Sequence, residues 1–133
     1  MQLVASRILC ILAHPDDEIY CCCYLREILL QGGEVFAAYI MNEDIGRARP
    51  IRKKEALASM REIGVNSKNV FFIGMDKREV FDQLYRIVQT LRDITRAAQP
   101  DCILAQDFEG GHEAHDIASF CASEVVRMNP SPA

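Results

Sequence analysis

Four times along the chain an apolar run of strand length gives way to turn residues and then to a segment with helical periodicity, and this alternation constrains the fold more than any single residue does. The first run, Arg7 to Ala13 (RILCILA), is almost continuously apolar, as a strand covered on both faces must be. The spacing predicts a helix from Asp17 to Gln31, stopped by Gly32-Gly33, and a second strand from Glu34 to Met41. After a polar loop from Asn42 to Arg49, Pro50 suits a first helical position, where an absent N–H loses no bond; that helix runs to Ile63 with Gly64 as its cap. Asn69 to Ile73 is the third strand. Val80, Phe81, Leu84, Ile87, Val88, Leu91 and Ile94 form the stripe of a buried face, which predicts a helix from Arg78 to Ala98 ended by Pro100. Asp101 to Ala105 is the fourth strand, and beyond Gly110-Gly111 a last helix covers His112 to Met128 before a frayed tail.

Strict alternation implies right-handed crossovers, hence a three-layer, Rossmann-like α/β fold with a parallel sheet of about four strands and helices on both faces. The usual spatial order, 3-2-1-4, sets the first and fourth strands side by side and opens a crevice at their carboxyl ends. A single domain over 1-133 is expected, since a chain of 133 residues, 50% hydrophobic and 26% charged, can bury a core without staples.

Fifteen basic and nineteen acidic residues give a net charge of −4 with no long block of either sign, which argues against nucleic acid or anionic lipid as the main partner. The first residues show no signal-peptide pattern, and no apolar run approaches the ~20 residues of a membrane span, so a soluble, cytoplasmic protein is expected. The six cysteines read as small buried hydrophobes rather than a disulfide framework. Neighbours on a helix point about 100° apart, so Cys21-Cys22-Cys23 cannot converge on one ion.

The chemistry concentrates in two places. His14-Pro15-Asp16-Asp17-Glu18 follows the first strand, and Glu109-Gly110-Gly111-His112-Glu113-Ala114-His115-Asp116 follows the fourth, so the expected strand order merges them into one crevice. His14 and Asp17, like His112 and His115, stand three apart and can face the same way across a turn. Two imidazoles and one carboxylate with a position left open is the ligand set of a catalytic zinc ion; Fe2+, Mn2+ or Co2+ also suit such donors. Water activated by a metal still needs a base, for which Asp16 is the candidate, and an amide hydrolysis needs an oxyanion partner and a proton for the leaving amine, either of which His112 can supply.

The pair AHPDDE and GGHxxHD resembles the LmbE/PIG-L family of zinc-dependent N-acetylglucosaminide deacetylases, as does Arg52-Lys53-Lys54-Glu55 with Gly64 downstream. The resemblance covers most of the chain in order. It implies that His14, Asp17 and His115 bind zinc, that Asp16 is the general base, that His112 acts as acid and oxyanion stabiliser, and that Arg52 holds substrate. The implied reaction removes the N-acetyl group from an amino-sugar conjugate. Two departures accompany it. Ala114 stands where the family commonly has an aspartate, which leaves the tuning of His112 to Glu113 or Asp116. Family members usually continue well beyond the second histidine, so a C-terminally truncated or minimal domain is expected, with apolar surface that favours self-association. The competing readings are a catalytically impaired metal- or sugar-binding domain and, with less support, a metal-dependent phosphoesterase. The latter is weakened by the lack of GxGxxG after the first strand and of any GxxxxGK[ST] loop.

Overall fold

The computed structural model describes residues 6–42 and 48–129. The expectations for residues 1–5, for most of the polar loop before Pro50 and for the tail beyond Asn129 lie outside the described residues. In chain order the elements are β1 (Arg7–Leu12), α1 (Cys22–Leu30), β2 (Glu34–Asn42), α2 (Ala48–Ile63), β3 (Val70–Asp76), α3 (Leu84–Ala98), β4 (Cys102–Ala105) and α4 (Glu113–Met128), with 3-10 turns at Asp17–Tyr20 and Ser67–Asn69. The strands form one sheet in the order β3-β2-β1-β4, and all three pairings are parallel. The expected topology is therefore the observed one.

Alternation along β1 divides the core in two. Leu9 and Ile11 point with Phe36, Ala38 and Ile40 into the layer closed by α3 and α4. Ile8, Cys10 and Leu12 point with Val35, Ala37 and Tyr39 into the layer closed by α1 and α2. Residues 8 to 11 are fully buried, each large aliphatic among them stabilising the fold by about 1.5–3 kcal/mol. The middle strands thus fix the frame on which the crevice at their carboxyl ends is built. Gly64 ends α2 at φ 109°, which lets Met60 C=O accept from both Gly64 N–H (3.1 Å) and Val65 N–H (2.9 Å). Pro50 falls inside the first turn of α2, where no intrahelical donor is lost.

Three expectations need correction. The helix expected from Asp17 is a 3-10 turn followed by α1 from Cys22, because Asp16 takes a left-handed backbone (φ 111°) and Cys21 breaks the path at φ −128°. The helix expected from Arg78 begins at Leu84. Asp76 accepts from the Arg78 amide at 2.9 Å and its guanidinium at 2.8 Å, which folds the intervening segment into turns. Val80 still enters the core, but Phe81, expected on the buried face, is 59% exposed. The cysteines are not uniformly buried either: Cys10 and Cys121 are, whereas Cys23 is exposed and Cys21, Cys22 and Cys102 are half-buried.

Candidate active site

β1 delivers the first cluster. Past Leu12 the chain leaves the sheet, and Asp17 N–H bonds back to His14 C=O at 3.2 Å, closing a turn that brings the two side chains together. The Asp17 carboxylate also accepts the His14 backbone N–H at 2.6 Å, so side chain and turn lock each other. β4 and the start of α4 deliver the second cluster. His112 caps α4 and is exposed, while His115, one turn in, is 9% exposed and aims at the first cluster.

The distances join the two. Asp17 Oδ2 lies 3.7 Å from His14 Nδ1, and Asp17 Oδ1 lies 3.4 Å from His115 Nε2. One ligand atom from each of the three residues falls within 4.8 Å of the others. Nitrogen, nitrogen and oxygen donors at that mutual spacing fit a divalent ion of zinc type with one side open. Burial alone would raise the Asp17 pKa; hydrogen bonds from His14, with the Gln106 amide alongside, outweigh it and hold the carboxyl near about 2. Asp17 is a carboxylate through the neutral and mildly acidic range.

Two groups behind these three side chains were given no role by the sequence. Glu109 Oε1 sits 2.7 Å from His115 Nδ1, so that nitrogen carries the proton and Nε2 is left to ligate. Asp116 in turn accepts from the amides of Glu109 (2.7 Å) and Gly110 (3.1 Å), which sets the loop carrying Glu109. Gln106 Oε1 takes the Ala13 N–H at 2.9 Å at the end of β1. A carboxylate just ahead of Gly110-Gly111 was the available signal for Glu109; nothing local marked Gln106.

The remaining expected residues surround the cluster. Arg52 reaches across from α2, donating to Asp16 Oδ2 at 2.7 Å and to Pro15 C=O at 3.1 Å, while its other nitrogen meets Glu55 at 3.2 Å. Asp16, next in sequence to Asp17, is exposed. The His112 ring stacks on His115, centroids 3.8 Å apart, and stands edge-on to His14 at 5.8 Å. Because Asp116 is engaged by the loop amides, it does not take the place left by Ala114. A cavity of about 360 Å³ opens against His14 and His112, walled by Met41, Val80 and Ile117, with Lys77 at its rim.

Comparison with known proteins decides the family: the family model described as PIG-L, GlcNAc-PI de-N-acetylase, matches residues 9–126. The chain belongs to the PIG-L family. A probable N-acetylglucosaminyl-phosphatidylinositol de-N-acetylase of Dictyostelium discoideum is 34% identical over 74 residues, 53% of this chain and 28% of that protein. The N,N'-diacetylchitobiose deacetylase of Pyrococcus horikoshii superposes with a TM-score of 0.83 at 26% identity, covering 96% of this chain and 52% of that one. The 4-carboxy-2-hydroxymuconate hydratase of Pseudomonas putida shares the fold as well, with a TM-score of 0.76 at 19% identity over 94% of this chain and 57% of that one. This PIG-L chain therefore spans about half the length of the structures it matches and less of the curated relative. The hydratase also shows that the fold by itself does not fix the reaction. Within the PIG-L match lie all six residues singled out from the sequence: His14, Asp16, Asp17, Arg52, His112 and His115.

Proposed function

We propose that the chain is the metal-dependent catalytic part of an N-deacetylase, hydrolysing the acetamide of an N-acetylglucosamine-type conjugate to acetate and a free amine. The convergence of His14, Asp17 and His115 beside Asp16, in a member of a de-N-acetylase family, carries the reading. Zinc held by the three side chains would supply Lewis acidity to the water and carbonyl of the reaction. Asp16 accepts the proton of the attacking water. His112, at the mouth of the cavity, donates to the developing oxyanion and then to the leaving nitrogen. Arg52 fixes the Asp16 carboxylate in the free protein and is placed to take up a sugar hydroxyl when substrate enters. The side chains of Met41, Val80 and Ile117 suit the acetyl methyl, while Lys77 and Glu113 make the rest of the cavity lining polar.

The test is reversible metal removal. Chelation should abolish amine release from an N-acetylglucosamine conjugate and zinc should restore it; full turnover in the chelated protein would end the reading. One observation favours a second reading, a metal- or sugar-binding domain with impaired catalysis: Asp116 is turned to the loop amides rather than to His112. That reading predicts stoichiometric zinc without acetate release, so the same experiment separates the two.

The reading extends to setting and assembly. Six free thiols suit a reducing, cytoplasmic compartment, and among the described residues no helix is long and apolar enough to cross a membrane. β4 is an edge strand whose four residues are only half-buried, and Phe81, Tyr85 and Phe120 are exposed on the α3–α4 side. Self-association of this chain through that apolar side is expected. Light scattering should report a species larger than a monomer; a monomer that binds no apolar dye would contradict it.

A further inference from the structure

Asp16 holds a backbone conformation that aspartate seldom adopts, φ 111° and ψ −17°. Such a residue stays there only where its surroundings fix it. The fixing group is Glu18, whose Oε2 accepts the Asp16 N–H at 3.0 Å and the Tyr39 hydroxyl at 2.8 Å. Glu18 is 4% exposed and Tyr39 is fully buried. Tyr39 belongs to β2, an inner strand, and its ring stacks on Phe72 of β3 at 5.2 Å between centroids. Burial, together with the neighbouring Glu18 carboxylate, pushes the Tyr39 phenol well above its usual range, so it stays a donor at any working pH.

The sheet thereby reaches the proposed base through one buried carboxylate. A hydrogen bond to a charged acceptor is stronger than one between neutral groups, which suits a contact that must hold a strained residue. Arg52 secures the other end of Asp16, its carboxylate. The amide is fixed from beneath and the side chain from across the crevice. We propose that Glu18, anchored by Tyr39, is a positioning residue that fixes the Asp16 backbone so that its carboxylate faces the reacting water. This rests on the reading of Asp16 as the base.

Two readouts test it on the zinc-loaded protein. In Glu18→Ala, kcat for acetate release should fall about tenfold or more while KM and zinc content stay within about twofold. Glu18→Gln, whose carbonyl can still accept, should recover part of the loss. Independently of turnover, the three-bond coupling between the Asp16 amide and α protons should rise in Glu18→Ala from the small value that φ 111° produces to the large value of an extended residue. If either kcat or the coupling is unchanged, the proposal is overturned. Should Glu18→Ala fail to fold, Tyr39→Phe loosens the same pair: the coupling should move in the same direction with a smaller drop in kcat, and no change in either overturns the proposal. Wild-type protein that releases no acetate would sink the functional reading alone, since the coupling still reports whether Glu18 holds Asp16.

Discussion

Purified Asp17→Ala is expected to contain only background zinc where the wild-type chain carries about one equivalent, and to lose acetate release with it. Asp17 is the one anionic donor of the three and the only one in reach of both imidazoles, 3.7 Å from His14 and 3.4 Å from His115. Without it two imidazole rings 6.1 Å apart remain. Changes to groups that merely support a ligand cost about 10–100-fold in affinity, so removal of the charged ligand should exceed that. Asp17 also accepts the His14 amide, and circular dichroism must show that the variant is folded. Asp17→Asn gives the cleaner comparison, because it keeps an acceptor there and removes only the charge. Undiminished zinc content in both variants, measured by elemental analysis, would show that the ligand set is wrong.

Asp16→Asn should do the reverse, keeping its zinc and losing about 10²–10⁴-fold in kcat, the range ascribed to a positioned acid or base. The choice of asparagine matters. At φ 111° most side chains add backbone strain, whereas asparagine, like aspartate, tolerates positive φ better than most. The substitution therefore removes proton acceptance while leaving the turn intact, and Arg52 still finds an oxygen to bind. Turnover at the wild-type rate with normal zinc content would remove Asp16 from the mechanism and direct attention to the exposed carboxylates of Glu109, beside His115, and Glu113, on the cavity wall.

The sheet was legible because its strands are apolar on both faces: β1 and β2 carry continuous runs such as Ile8 to Leu12 and Val35 to Met41 that only a covered parallel sheet accommodates. Strand order followed from the usual arrangement of an alternating chain of this kind, and the order alone joined His14 to His115. What escaped depends on contacts between residues distant in sequence, or on turns that imitate helices. Val80 fits the apolar stripe of α3 whether it lies in a helix or, as here, in a loop pinned by the Asp76–Arg78 pair, so periodicity could not place the start of α3. Glu18 reads as one more acidic residue in a first turn until Tyr39, which reaches it from another strand, shows why it is buried. Glu109 stood within the second cluster, but its bond to His115 Nδ1 depends on how the loop folds back and has no mark in the sequence.

Since β1 and β4 are neighbours in the sheet but lie towards opposite ends of the described chain, an ion gripped by His14, Asp17 and His115 is a clasp across nearly the whole loop of polypeptide between them. The unfolded chain offers no such preformed grip, only separate thiols and imidazoles whose hold on the ion lowers the gain, so occupancy is drawn towards the native state. At a hundredfold excess of free ion over its dissociation constant the gain is about 2.7 kcal/mol. Thermal endurance of this chain then follows the metal content of its buffer, and preparations made with and without a chelating agent would melt as though they were different proteins.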